Sequence, residues 1–380
     1  MKRKTLLTTC IILVFILSIL FSSVSYSQTL STPLLKAGLA YTQALNTKTI
    51  DEELRIDLRF SVGNGATADS KKLEELLKKM YIKVRAVSDN IKYEANLQIT
   101  FYYNNKEFLK GSMYVNKEYV VYNFPQIYSK PLYVKLNQAN MPLQIDTNKY
   151  VKLFDIKNNP QLQSLVASYA QVVLPKLSSC VKMSDKKVEL KFSNGKKQNC
   201  DEIIFELNKN SSLDILKAIL TKAADDKATK EFVLSVAKMI LEDAQAILNA
   251  QQTDKSTTFN IEDIMKQADD TYSQTVKEAV YQLDTVAAQI PPFTLQYRMR
   301  IDGNNNLKGE RLYFYLKDSN NLKVMINLDG IINSINQPVN ITKIDISKGV
   351  NINKLSDKDI ETMTKNVENI FKKLGITFSK

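Results

Sequence analysis

Two stretches more than two hundred residues apart alternate apolar and polar side chains almost without exception. In ELRIDLRFSVG, Leu54, Ile56, Leu58, Phe60 and Val62 alternate with Arg55, Asp57, Arg59 and Ser61; in PPFTLQYRMRIDG, Phe293, Leu295, Tyr297, Met299 and Ile301 alternate with Thr294, Gln296, Arg298 and Arg300. A period of two gives a strand one apolar and one wet face, so each stretch must find a partner for one side only. Any fold for this chain has to join two such sheets edge to edge or set them face to face.

What flanks the two stretches fixes the class. A helix is expected from about Pro33 to Leu45, and KKLEELLKKM places Leu73, Leu76, Leu77 and Met80 at helical spacing. Strands follow at IKVRAV, at IKYEANLQITFYY, and, after an Asn104-Asn105-Lys106 turn, at FLKGSMYV, EYVVYNF and PLYVKLN. Their short connections favour antiparallel neighbours. The middle of the chain changes period. PQLQSLVASYAQVVL reads as a helix stopped near Pro175, and Asn194-Gly195 marks a hairpin between KVELKF and IIFEL. Three helical stretches then run from about Ser212 to Gln289, ended by Pro291-Pro292.

Strands resume at FTLQYRMRI, ERLYFYL, LKVMINL and NITKIDI, and a last helix carries Ile360, Met363, Val367, Ile370 and Leu374 in one stripe behind a Ser356/Asp359 capping pair. The order strands, helices, strands predicts an α+β fold: a large curved antiparallel sheet, half-barrel-like, with helices packed on its concave face. A single domain is expected over 28–380. Its parts are an N-terminal sheet half at 28–150, helices at 151–290 with an inserted hairpin at 187–207, and a C-terminal sheet half with a terminal helix at 291–380.

The chain opens with Lys2, Arg3 and Lys4, an apolar run from Leu6 to Phe21, and small residues at Ser25 and Ser27. This is the pattern of an export signal cleaved near Ser27–Gln28, so residues 1–27 are expected to leave the protein secreted or retained at the cell surface. Extended to Val24, the run approaches bilayer length, and the alternative is an uncleaved anchor. Loss of the three cations lowers the formal charge from +12 to +9. The cations number 45 Lys and 7 Arg, spread along the chain. Such an exterior is expected to meet an anionic wall polymer or membrane surface rather than nucleic acid, which calls for concentrated basic elements. Outside the signal, Cys180 and Cys200 form an even pair, expected as a disulfide in an oxidising compartment. A two-residue turn at Asn194-Gly195 would set Cys200 opposite Glu189, so the bridge requires the segment before Lys186 to fold back; otherwise both remain thiols.

The chain has no His. That removes the commonest general base and metal ligand, and with them Ser-His-Asp and Cys-His chemistry. DGNNNLKGE resembles a calcium loop until its sixth position, Leu307, and its twelfth, Tyr313, which should be Gly and Glu; a hairpin turn is the better reading. Ser184 and Lys187 match a serine-lysine spacing by chance, and Asp225-Asp226 and Asp269-Asp270 read as exposed helical acids. Tyr102, Tyr103, Tyr114, Tyr119, Tyr122, Tyr128 and Tyr133 would make a sugar-stacking platform, but the chain has no Trp and strand propensity already accounts for them. No catalytic residue, cofactor or metal is expected, and the protein is read as not an enzyme.

At KEYVVYNFPQIYSKPLYVKLN and NGKKQNCDEIIFELNKNSSLDILKAIL the chain resembles uncharacterised secreted proteins of low-GC Gram-positive bacteria, and more distantly the lipoprotein-carrier half-barrels. The resemblance lies in the order of elements. It implies a curved sheet around helices, able to hold acyl chains, and carries over no residue. The expected function is an exported, non-catalytic envelope protein binding a lipid or other apolar ligand, with Leu97, Ile99, Phe101, Leu295, Tyr297 and Met299 lining the cavity. The alternative is a closed-core structural or interaction protein of the envelope that binds a protein or wall polymer through its surface.

Overall fold

In a computed structural model of the protein, residues 32–45, 47–63, 66–136, 159–251 and 260–375 are described. The export signal expected at residues 1–27 lies outside them. The described residues form an α+β fold with one curved, open sheet of 13 strands. Its contacts divide it into two compact units: of the described residues, those within 1–42, 140–181 and 207–290 make the first, and those within 43–139, 182–206 and 291–380 the second. The hairpin expected within the helical region is part of the second.

The first unit is helical. It contains α1 (Thr32–Leu45, up to Thr42), α3 (Pro160–Ser178), α4 (Lys209–Asp225), α5 (Lys227–Gln251) and α6 (Ile261–Gln289). Asn159 caps α3, and Leu162, Val166, Ala170, Val173, Leu174 and Leu177 form its buried stripe. The helix does not stop at Pro175 but continues to Ser178. Proline removes only the bond from its own nitrogen to the Gln171 carbonyl, so the ladder resumes after it, and the Ser178 hydroxyl adds a separate bond to the Leu174 carbonyl at 2.9 Å in the last turn. The acid pairs are structural: Asp225 meets Lys277 at 2.9 Å, Asp269 meets Lys230 at 2.9 Å, and Asp226 pairs with Lys222 at 3.2 Å.

The second unit is the sheet. Its strands are β1 (Thr49–Ser61), β2 (Met80–Asp89), β3 (Glu94–Tyr103), β4 (Lys106–Val115), β5 (Tyr119–Asn123), β6 (Leu132–Lys135), β7 (Val181–Met183), β8 (Val188–Lys191), β9 (Lys197–Asn208), β10 (Phe293–Ile301), β11 (Leu307–Lys317), β12 (Lys323–Ile335) and β13 (Val350–Asn351). They lie in the order β13-β6-β5-β4-β3-β2-β1-β12-β11-β10-β9-β7, with β8 on β9. The two alternating stretches therefore belong to one sheet, and the halves join edge to edge through β1 and β12, where Ile56 faces Leu328 and Leu58 faces Ile326. β13 pairs with β6 in parallel, against the antiparallel ladders from β6 through to β1 and from β1 to β10, which makes the sheet mixed rather than wholly antiparallel as expected. Bulges at Asp51/Glu52, Phe101/Tyr102 and Arg300/Ile301 supply bending.

Two further helices belong to this unit. α2 (Ala68–Lys79) connects β1 to β2, and α7 (Asp357–Lys373) starts from the expected Ser356/Asp359 capping box. α7 is fixed by a 2.8 Å bond from the Tyr128 hydroxyl to Asp359, and Phe371 stacks at an angle on Phe108. NITKIDI is not a strand. It follows Pro338 and makes side-chain contacts instead: Asn96 donates to the Thr342 carbonyl at 2.9 Å, and Lys343 pairs with Glu94 at 2.9 Å.

Candidate functional site

Residues opposite each other in an antiparallel ladder point to the same side, so the register assigns every side chain to a face. One row runs Phe101, Ile82, Ile56, Leu328, Leu312, Tyr297 across β3, β2, β1, β12, β11 and β10. The next runs Ile99, Val84, Leu54, Gly330, Glu310, Met299. Leu97 lies on the same side of β3, and Leu295 is joined to Leu58 through Phe314 and Ile326. The six expected lining residues thus share one apolar face, about 24 Å across at the usual strand spacing. They do not enclose a cavity by themselves, because four strands separate the two triplets.

The face is closed in some places and open in others. Met299 and Ile301 are 0% exposed, and Phe205 of β9 packs on Tyr297. At the other side Phe101 touches Phe108, which meets Phe371 of α7. Phe124 covers Gly111 so closely that a Cβ there would lie 2.2 Å from its ring. Between these ends Leu54, Ile56, Ile326, Leu328 and Phe314 are only half-buried, and Leu58 is 41% exposed.

Two carboxyls interrupt this face. Glu310 is in phase with Leu312 and Phe314, and Glu52 with Leu54 and Ile56. The Tyr297 hydroxyl donates to Glu310. Burial pushes both carboxyls above their ordinary value; the charge of Glu310 adds to the rise at Glu52, whereas the Tyr297 bond opposes it at Glu310. The signal that would have found them was present: an acid in the apolar phase of a strand. Chemically, such a pair offers a donor when protonated and an acceptor when ionised, beside apolar surface.

The other face is polar, and the arginines are concentrated there although the lysines are scattered. Arg55 and Arg59 of β1, Arg85 of β2, Arg298 and Arg300 of β10, and Arg311 of β11 all share this face by register. The tyrosines form no single platform. Tyr102 stacks on Tyr81 at 4.6 Å, Tyr114 is buried with its hydroxyl 3.0 Å from Glu94, and Tyr128 serves α7. An open depression of about 410 Å³ beside the edge of β4 is lined by Gln98, Lys110, Gly111, Ser112, Asn123, Pro125 and Gln126, and none of the expected apolar residues contributes to it.

The expected disulfide is not formed: Cys180 and Cys200 are free, Cys180 partly exposed and Cys200 buried. Cys200 faces Val188, and the Ser184 N–H bonds the Glu202 carbonyl. From Ser184 to Val188 the chain approaches the level of Cys200, so Cys180, before Ser184, lies on the receding side. The hairpin loop is one residue longer than a two-residue turn. Lys191 faces Lys197, Phe192 and Lys196 are bonded at 2.9 Å, and Gly195 takes the positive φ of 80°. DGNNNLKGE is a turn in which Asp302 accepts from the Asn304 and Asn306 N–H groups at 2.9 Å. Ser184 donates to the Lys186 carbonyl at 3.0 Å, while Lys187 pairs with Asp201 at 3.5 Å.

No family model, curated protein or solved structure matches the chain. Among the described residues no helix is long and apolar enough to cross a membrane.

Proposed function

We propose that this is an exported, non-catalytic protein of the cell envelope that binds a lipid or other amphipathic apolar ligand on the apolar face of its open sheet. One observation carries the reading: the face is continuous across six strands, yet its centre, at Leu54, Ile56, Leu58, Ile326 and Leu328, is left half-buried or exposed. Contiguous apolar surface left open to solvent is a mark of a binding site. The tail of the ligand lies along the row from Phe101 to Tyr297, and its polar end meets Glu310, Glu52 and the Tyr297 hydroxyl. The half-barrel resemblance and the export signal in the sequence support the same reading. Organic extraction of protein purified from its native host, with mass spectrometry of the extract, tests it. A co-purifying amphiphile at near-stoichiometric amount is expected. An empty extract, together with no binding of a fluorescent fatty acid, rejects it.

The second reading, a closed-core interaction protein of the envelope, draws on the full burial of Met299 and Ile301 at the β10 end of the same face. It requires the central residues to be occupied by the protein itself, and solvent protection of Leu58 without any ligand would favour it.

A further inference from the structure

Gly330 interrupts the apolar face where its two carboxyls come together. In register it stands between Leu54 of β1 and Glu310 of β11, and Glu52, two residues before Leu54, faces Ile332 beside it. The usual reasons for a glycine do not apply. Its φ is not in the positive region, and a Cβ added there would meet the Glu310 carbonyl oxygen at 3.6 Å and the Leu54 Cδ1 at 3.7 Å, which are ordinary contacts. At Gly63, Gly111 and Gly309 the same Cβ would clash, at 2.0, 2.2 and 2.7 Å. A glycine inside a strand weakens it and is a mark of close approach by a ligand or another backbone.

The notch left by the missing side chain is bordered by charge of one sign. The Tyr297 hydroxyl donates to Glu310, and burial and then the nearby charge of Glu310 hold the Glu52 carboxyl above its ordinary value. No lysine or arginine stands in the apolar phase of β1, β2, β3, β10 or β12, or of β11 from Glu310 onward, so the ladder brings no cation to either carboxyl. Leu54, Ile56, Leu312 and Leu328 continue the apolar surface away from the notch, and all are half-buried. These residues, with Tyr297, belong to one compact unit.

Resting on the reading of this face as a ligand site, we infer that its ligand is a long-chain amphiphile with a primary ammonium head, the head in the notch at Gly330 between Glu52 and Glu310 and the chain along the apolar row. Charge complementarity selects this head. A carboxylate or phosphate would bring a further anion beside two, and a hydroxyl or ester would leave the carboxylates without a counter-charge in an apolar surrounding. An ammonium neutralises them, and its three N–H donors can serve both, since the Tyr297 hydroxyl occupies only one oxygen of Glu310. A trimethylammonium offers no donor and is wider than the space that one absent side chain leaves. The chain's formal charge of +12 acts in the opposite sense, drawing anions at long range, so a preference for the ammonium has to come from the local carboxyls.

Calorimetric titration of the full chain with dodecylamine, dodecanol and dodecanoate, at neutral pH and below their micellar concentrations, tests this. The amine is expected to bind about tenfold more tightly than the alcohol, and dodecanoate most weakly. Glu52→Gln with Glu310→Gln should bring amine and alcohol to equal affinity. Gly330→Val fills the notch with a residue that strands favour, and should remove the amine's advantage with both carboxyls in place. Circular dichroism checks that the variants fold, and either one alone suffices for the comparison. Binding of none of the three ligands would overturn the apolar site and this inference with it. Equal binding of amine and alcohol by the wild type, tightest binding of dodecanoate, equal affinity for dodecyltrimethylammonium, or an amine preference that survives in a folded variant would overturn the ammonium head alone and leave the apolar site standing.

Discussion

Tyr297 of β10 donates its phenolic hydrogen to Glu310 of β11 on a face built mainly from apolar side chains. The two are diagonal neighbours, since Tyr297 faces Leu312 and Glu310 faces Met299. The bond satisfies one carboxylate oxygen but brings no cation, and among the described residues neither Glu310 nor Glu52 has an ion-pair partner. A buried anion without a counter-charge is costly, so the face is poised to take a proton or a ligand's polar end.

This pair makes stability depend on pH. Both carboxyls sit above their ordinary value of 4.5 because of burial, so the stability they contribute is fully present below that value and is lost as pH rises through the raised ones. Asp57 and Asp302 act in the opposite sense. Burial raises them, but hydrogen bonds from Arg55 and from Asn306 outweigh it, and their contribution is present above 3.8 and lost as pH falls through the lowered values. The thermal midpoint is therefore expected to peak in mild acid. Glu310→Gln should flatten the decline toward alkaline pH and melt higher than the wild type there; a wild-type midpoint that climbs steadily into the alkaline range contradicts this.

The apolar face should divide into structural and ligand-facing residues. Met299 is 0% exposed, and Met299→Ala is expected to cost about 2–5 kcal/mol through lost burial and the cavity left behind. Leu58 is 41% exposed, and Leu58→Gln should shift stability by no more than about 0.5 kcal/mol while weakening fatty-acid binding severalfold. Denaturant melts and fluorescence titrations on the two variants separate the roles. Equal destabilisation by both would assign the centre of the face to a closed core.

Most strands of the sheet were legible because alternation is a local signal. FTLQYRMRI and ERLYFYL each fall inside an observed strand, LKVMINL does so from Lys323 onward, and the Asn104-Asn105 turn appears with both residues at positive φ. The Ile56–Leu328 seam was open as one of two arrangements, because pairing between distant strands depends on the whole sheet and not on either segment. NITKIDI alternates too, yet stays out of the ladder, its contacts made by Asn96 and Glu94. The hairpin register slipped by one because Gly195 closes a three-residue loop, a choice that Asn-Gly alone does not fix. That Glu52 and Glu310 share one face is not legible in either segment: the two come into phase only after β1 has paired with β12 and β12 with β11.

Gly111 should tolerate no side chain. It is opposite Ile99, and an added Cβ would lie 2.2 Å from the Phe124 ring. Gly111→Ala is expected to destabilise by about 1–3 kcal/mol, as overpacking does. In a Phe124→Ala background the same change should cost much less, because the clashing ring is gone, and the double-mutant cycle reads that coupling. Additive costs would place the strain in the strand backbone instead.

The two thiols should differ sharply in reactivity. Cys200 is 0% exposed on β9, and burial pushes its thiol above the usual range, with Asp302 adding to the rise against Lys308 and Arg300. Both effects suppress the thiolate that attacks a labelling reagent. Cys180 is partly exposed at the end of α3, its N–H bonded to the Leu177 carbonyl at 2.8 Å. Native protein treated with a maleimide is therefore expected to label at Cys180 within minutes and at Cys200 only after denaturant is added, as read by peptide mapping. Because no bridge joins them, a reducing agent should leave the melting temperature unchanged. A reductant-dependent drop of several degrees, with both sites unreactive before reduction, would establish that a bridge forms in solution and that β7, already beside β9, shifts along it to bring Cys180 level with Cys200.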